Sequence, residues 1–186
     1  MYAIISCLAN NHIHISLCKI LNLKKLFLLF QITFIGIAGI SQVDSTAPVY
    51  KRFPTIPEFT VVKAPDSTSF SREDLKRKKP VVFMIFSPEC EHCQHETKAL
   101  IADINKFKNA QILMITWLPY EEMIKFYQDY KIDNYPEITM ARDDKFFFPS
   151  FFKVRNFPSI YVYDKKGNLV KNFEGSVKVD SIAAVL

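Results

Sequence analysis

The chain has 186 residues, 49% of them hydrophobic and only 4 of them glycine, which is enough for one ordinary core and too little for a second. A formal charge of +5 at pH 7 permits contact with anionic surfaces. The lysines are scattered, however, and the densest cluster, Lys76-Arg77-Lys78-Lys79, directly precedes an apolar run. With no basic stripe or reading motif beside it, the cluster reads as a solvated turn, and nucleic acid is not expected as a partner.

In chain order, the first feature is an uncharged run of 18 residues from Leu26 to Val43, preceded by Lys19, Lys24 and Lys25 and followed by Asp44. A basic region, an apolar region and then small residues such as Ala38, Gly39 and Ser41 have the layout of a secretory signal. The run also reaches the lower limit for a membrane-spanning helix, about 17–25 residues for a hydrocarbon layer of ~30 Å, so a cleaved signal and a retained anchor are both open. Residues 1–22 place an irregular stretch before the basic region, which predicts a true start nearer Leu21. Cys7, Cys18, His12 and His14 are given no role. Residues 1–43 are therefore read as a leader, with the membrane a possible partner through residues 26–43.

Residues 44–57 hold three prolines and no apolar periodicity and read as an extended linker, with the folded domain at 58–186. Phe59 to Val62 predicts a short strand, Pro65-Asp66-Ser67 a turn, and Ser71 with Asp74 a capped helix start. Pro80 to Phe86 is a continuous apolar run suited to a central strand covered on both faces. Ser87-Pro88-Glu89 ends it, and from Cys90 onward Cys93, Thr97, Leu100, Ile101, Ile104 and Phe107 follow helical spacing. Ile112 to Thr116 predicts the next buried strand, Glu121 to Tyr130 a helix, and Phe146 to Val154 an aromatic-rich approach to Pro158. Ser159 to Tyr163 and Leu169 to Phe173 read as two strands joined by a turn through Gly167, followed by a short last helix near Val179-Asp180. Alternating strands and helices closed by a hairpin indicate an α/β fold with a mixed central sheet flanked by helices.

The chemistry concentrates at Cys90-Glu91-His92-Cys93. A cysteine at the first turn of a helix meets unpaired backbone N–H groups and the positive end of the helix dipole, both of which favour thiolate over thiol. Two intervening residues put Cys93 one turn later on the same face, placed to close a disulfide with Cys90 or to resolve a mixed disulfide formed on it. Disulfide exchange runs through such an intermediate, so Cys90 is expected to attack and Cys93 to release. A protonated His92 between them favours an oxidising potential and Glu91 opposes it. Zinc is the rival use of a Cys-x-x-Cys, but a structural zinc needs four closed ligands and no second pair exists in the domain, so neither metal nor cofactor is expected.

Together, these features resemble the thioredoxin superfamily, specifically its TlpA/ResA-like branch of extracytoplasmic proteins, over roughly residues 56–186. The residues that carry the resemblance are Ile56 to Val61 as the opening strand, Val81 to Phe86 as the strand feeding the site, Cys90-Glu91-His92-Cys93 as the redox motif, and Val154 to Ser159 as the loop bearing a cis-proline. The resemblance implies a thioredoxin-like fold, a cis Phe157–Pro158 bond lying against the cysteines although 64 residues separate Cys93 from Pro158, and a role for that loop in shielding the cysteines from metals and pairing with substrate backbone. It also implies that Glu96 tunes the cysteines and passes protons. Two departures stand out: Ser87-Pro88-Glu89 replaces the usual tryptophan before the first cysteine, and Met84 stands where thioredoxins proper keep a buried acid.

The expected activity is thiol-disulfide exchange with protein thiols or disulfides, served by a redox partner protein, in a periplasmic or otherwise extracytoplasmic location. Two other classes stay open. Peroxide reduction on the same fold needs a lone peroxidatic cysteine in a Thr/Pro-x-x-x-Thr/Ser-x-x-Cys setting, which Phe83 to Glu89 do not supply. A binding module with a static disulfide is marked by a potential below about −300 mV.

Overall fold

A computed structural model describes residues 47–186. The leader, including the apolar run 26–43, and residues 44–46 lie outside the described residues. Among the described residues no helix is long and apolar enough to cross a membrane.

Among the described residues, seven strands form one mixed sheet in the order β2-β1-β5-β4-β3-β6-β7. They are β1 (Thr60–Lys63), β2 (Ser69–Ser71), β3 (Val81–Ile85), β4 (Gln111–Thr116), β5 (Ile138–Arg142), β6 (Ser159–Tyr163) and β7 (Leu169–Glu174). β3, β4 and β5 are mutually parallel neighbours, while β1 and β6 join them antiparallel. The helices are α1 (Val49–Arg52), α2 (Glu91–Ala102), α3 (Tyr120–Asp129), α4 (Phe147–Phe152) and α5 (Val179–Ala183).

Side chains alternate across a strand, so a fully apolar β3 feeds two cores. Val82, Met84 and Phe86 face the cluster that contains Cys93, Leu100, Met114, Phe126 and Ile182. Val81, Phe83 and Ile85 face the other cluster, with Tyr50, Leu113, Phe148, Phe152 and Tyr161. β6 divides the same way, Ile160 and Val162 to the first and Tyr161 and Tyr163 to the second. Burial of each such side chain contributes about 1.5–3 kcal/mol, so the continuous hydrophobic run dictates a central position. Met84, where thioredoxins proper keep an acid, is simply part of the first core at 1% exposure.

Three expectations need correction. The stretch 44–57 is not a free linker over its described part: Val49–Arg52 form α1, and Tyr50 is buried edge-on against Phe152 and Tyr161 at 5.6 and 5.1 Å. Ile56 is buried too, and its N–H donates to Gly167 O at 2.9 Å. The prolines concealed this because the few apolar residues between them, Val49, Tyr50, Phe53 and Ile56, are too short a run to show a period. At Ser71 the box forms, with the backbone N–H and hydroxyl of Ser71 both donating to the Asp74 carboxylate, but only the 3-10 turn Arg72–Asp74 follows. Leu75 is already extended, since four cations and Pro80 supply no apolar stripe to bury. Finally, β5 and α4 went unassigned in the sequence. Ile138–Arg142 lacks a continuous apolar run, and its strand character comes from pairing with β4 along Ile112↔Ile138 to Thr116↔Arg142.

Candidate active site

The parallel strands β3 and β4 deliver their following loops to one edge of the sheet. The Phe86 N–H donates to Ile115 O at 3.0 Å, which keeps the two strands in step to their ends. Ser87 to Cys90 then follow β3, and Trp117 follows β4. On the other side, Ile85 pairs with Ser159 across β3 and β6, so the register sets Pro158 beside Phe86 at that same edge. The Phe157–Pro158 peptide is cis, and Pro158 is buried. Open α/β sheets bind ligands outside the carboxyl ends of their parallel strands, where these loops gather.

Cys90 is the N-cap of α2, in an extended conformation, and its N–H donates to Ser87 O at 3.1 Å. Its sulfur accepts the backbone N–H of Cys93 at 3.4 Å. This is the cap position at which a side-chain acceptor meets the unpaired donors of the first helical turn. Cys90 is half-buried, Cys93 is wholly buried, and both are free thiols. Burial pushes the Cys93 thiol far above its ordinary value, reinforced by the neighbouring Cys90 and Glu96 and opposed by a backbone hydrogen bond from Ser87. The two cysteines are thus chemically unlike: one sulfur reaches solvent at a helix end, and the other is held protonated inside.

Glu96 is 4% exposed on the same helix. Its Oε2 accepts the Val177 N–H at 3.0 Å, while its Oε1 is buried with no partner. Burial raises the carboxyl above its ordinary 4.5, and the Val177 hydrogen bond lowers it in part. The segment that supplies Val177 also ties to the proline loop, since the Gly175 N–H donates to Pro158 O at 2.8 Å. Gly175 has φ +81, a left-handed conformation that glycine adopts without strain. Glu91 and His92, by contrast, are exposed on the outer side of the helix.

Of the residues singled out in the sequence, the structure places Cys90 at the N-cap of α2 and Cys93 and Glu96 within it, and brings Phe157 and Pro158 to the same sheet edge, while His92 points outward into solvent. Sequence reasoning missed three participants. Trp117 packs on Phe157 at 5.1 Å and on the exposed Phe146 at 5.2 Å, forming an aromatic shelf beside the proline loop. The signal for it was available, because it is the chain's one tryptophan and directly follows a buried strand. Gly175 and Val177 act through their backbone, which leaves no mark in side-chain identity. A groove of about 780 Å³ adjoins the site between α2 and α3, with Pro88, Glu89 and Lys98 on one wall and Phe126 and Tyr130 on the other. Among the described residues no group of three or more His, Cys, Asp or Glu side chains converges as a metal site would require.

No curated protein sequence matches the chain. Among solved structures it is similar to DsbF of MTB in its mixed oxidized and reduced forms, at 22% identity and a TM-score of 0.60 over 70% of this chain and 96% of that one. It is similar to a secreted Mycobacterium tuberculosis disulfide oxidoreductase homologous to E. coli DsbE, at 19% identity and a TM-score of 0.56 over 68% and 92%. A third is StoA from Bacillus subtilis, at 13% identity and 0.53 over 70% and 98%. At these identities the likeness establishes the fold, which is thioredoxin-like. The sequence itself matches the AhpC/TSA family over residues 54–173, a span that covers the strand leading to Cys90, the helix that Cys90 caps and the proline loop, and the chain therefore belongs to the AhpC/TSA family.

Proposed function

We propose that the protein is a thiol-disulfide oxidoreductase that exchanges disulfides with protein substrates through Cys90 and Cys93. The observation that carries this reading is the asymmetry of the pair: Cys90 sits half-exposed at a helix N-cap with its sulfur on the Cys93 N–H, and Cys93 is buried and held as a thiol. The family alone does not choose between disulfide exchange and peroxide reduction, but a second cysteine one helical turn from the first supplies the resolving thiol that exchange requires. The structural relatives include one described as a disulfide oxidoreductase and as secreted, in keeping with a location outside the cytoplasm.

In the reductive direction the Cys90 thiolate attacks one sulfur of a substrate disulfide. The substrate S–S bond breaks, a Cys90–substrate disulfide forms, and the first substrate sulfur leaves as a thiolate that takes a proton from water. The Cys93 thiol then gives up its proton and attacks the Cys90 sulfur, which closes the Cys90–Cys93 disulfide and releases the second substrate thiolate. Two electrons pass from the cysteine pair to the substrate, and a partner dithiol restores the pair. The oxidative direction is the reverse sequence. Glu96, one turn beyond Cys93 with an unpartnered Oε1, is the group assigned to accept the Cys93 proton. Phe157 and Pro158, with Trp117 beside them, border the substrate segment attached to Cys90.

The test is insulin-disulfide reduction by the wild type and by Cys90→Ala, together with the reduction potential of the pair. Loss of activity in the variant is expected. Equal activity in the two overturns the mechanism, and a potential below about −300 mV identifies a static structural disulfide instead.

A further inference from the structure

The run Lys76 to Lys79 meets a second basic pair in the fold. A groove of about 380 Å³ is lined by Arg72 and Lys76 to Lys79 from the segment before β3, and by Lys165 and Lys166 from the turn between β6 and β7. Arg72 is committed to Glu58. The other six cations form no ion pair with any carboxylate among the described residues. The ammonium groups of Lys76 and Lys79 donate to the carbonyls of Pro136 and Lys108, which orients them without neutralising them. Asp164 is the acid of this lining, and its oxygens are occupied by the backbone N–H groups of Lys166 and Asn168 and by the Asn168 amide. The result is a strongly positive surface in a protein whose net charge is only +5.

An apolar element adjoins it. The Leu169 N–H donates to Pro54 O at 2.7 Å and the Ile56 N–H to Gly167 O at 2.9 Å, so the strap Pro54 to Ile56 lies along the same turn. Phe53, immediately before this strap, is 59% exposed. Val81 and Gln111, which open β3 and β4, also line the groove, whereas Cys90 follows the far end of β3. A strand of this length spans about 17 Å, so the basic surface and the redox pair occupy opposite ends of the sheet.

We propose that this end of the domain docks on an anionic lipid bilayer, with Lys78, Lys79, Lys165 and Lys166 over the headgroups and Phe53 in the interface. Three observations favour lipid over nucleic acid. Lysines outnumber arginines on the surface, and ammonium groups act as hydrated point charges suited to diffuse headgroup charge rather than to bidentate recognition. The groove lining contains no aromatic residue on which a base can stack. An exposed phenylalanine beside a basic cluster combines apolar insertion with electrostatic attraction, and the uncharged run Leu26–Val43 ends six residues before α1. Docking in this sense leaves Cys90 directed away from the bilayer toward the aqueous phase.

The test uses the full chain and two vesicle preparations, phosphatidylcholine alone and three parts phosphatidylcholine to one part phosphatidylglycerol, read by co-sedimentation. Any contribution of the apolar leader is common to both, so the preference between them isolates charge. The wild type is expected to bind the anionic vesicles roughly tenfold more strongly at low salt, a preference that falls steeply by about 0.5 M salt. Replacement of Lys78, Lys79, Lys165 and Lys166 by Gln should bring the preference to within about twofold, whereas Arg at the same four positions should keep it. Phe53→Ser should weaken binding to the anionic vesicles about fivefold without altering its salt dependence. Full preference in the Gln variant assigns the charge effect to cations other than these four lysines and overturns the docking surface. Unchanged binding of Phe53→Ser overturns the insertion. Tighter binding of a DNA duplex than of anionic vesicles, lost in the Gln variant, overturns lipid as the partner.

Discussion

The Glu96 carboxylate accepts the Val177 N–H at 3.0 Å, and two residues earlier the Gly175 N–H donates to Pro158 O at 2.8 Å. One short segment therefore connects the helix of the cysteine pair to the proline loop, through a side chain that is itself buried and titratable. Its second oxygen is buried with no partner.

Glu96 should make stability pH-dependent. Its folded-state pKa is raised by burial above the ordinary 4.5, so its contribution is fully present below about pH 4.5 and is lost as pH rises through the folded value. Glu96→Gln removes that dependence, and urea unfolding at pH 4.5 and pH 7.5 should show the variant gaining on the wild type at the higher pH. Glu96→Ala strands the Val177 N–H and should cost about 1–3 kcal/mol. A wild-type and Gln variant that respond identically to pH would remove Glu96 from the proton chemistry.

The cysteine pair should separate by reactivity. At neutral pH, iodoacetamide should modify Cys90 at least about tenfold faster than Cys93 in the reduced protein, followed by peptide mass spectrometry. Cys93→Ser should trap a Cys90–substrate disulfide that persists on a non-reducing gel. The raised Cys93 value gives a second expectation: its contribution to stability is complete below its ordinary 9.0 and declines above it. Reduced wild type should consequently lose stability above pH 9 relative to Cys93→Ala.

Tyr50 tests where the domain begins. It is 3% exposed and meets both Phe152 and Tyr161. Tyr50→Ala should cost about 3 kcal/mol, measured by denaturant unfolding, as expected for removing a buried aromatic ring. A change below about 0.5 kcal/mol is what a surface position gives, and would restore the view of this stretch as a linker.

Trp117 offers an intrinsic probe of the proposed substrate face. As the chain's one tryptophan, packed at a tilt against Phe157, it should change its fluorescence when a cysteine-bearing peptide is attached to Cys90. Trp117→Ala should raise KM for insulin about tenfold with kcat little altered, the pattern of lost binding surface rather than lost chemistry. An unchanged KM would place substrate contacts elsewhere on the sheet edge.

How much of this was legible beforehand follows from the range of the interactions involved. The central strand Val81–Ile85, the redox helix from Cys90 and the hairpin through Gly167 all announce themselves locally, by a continuous apolar run, by helical spacing, and by turn residues. Their identity depends on neighbours a few positions away, so an α/β fold, a Cys-x-x-Cys opening a helix, and which cysteine faces the solvent could all be read from local pattern. The rest depends on contacts between distant segments. β5 becomes a strand because β4 offers it a partner, and Tyr50 becomes core because Phe152 and Tyr161, more than a hundred residues on, close over it. Glu96 meets Val177 across 81 positions, and Lys76 to Lys79 meet Lys165 and Lys166 across a similar distance. Pattern reading registers periodicity within one segment. A backbone donor brought to a carboxylate, or two basic turns brought to one groove, exist only once the chain has folded.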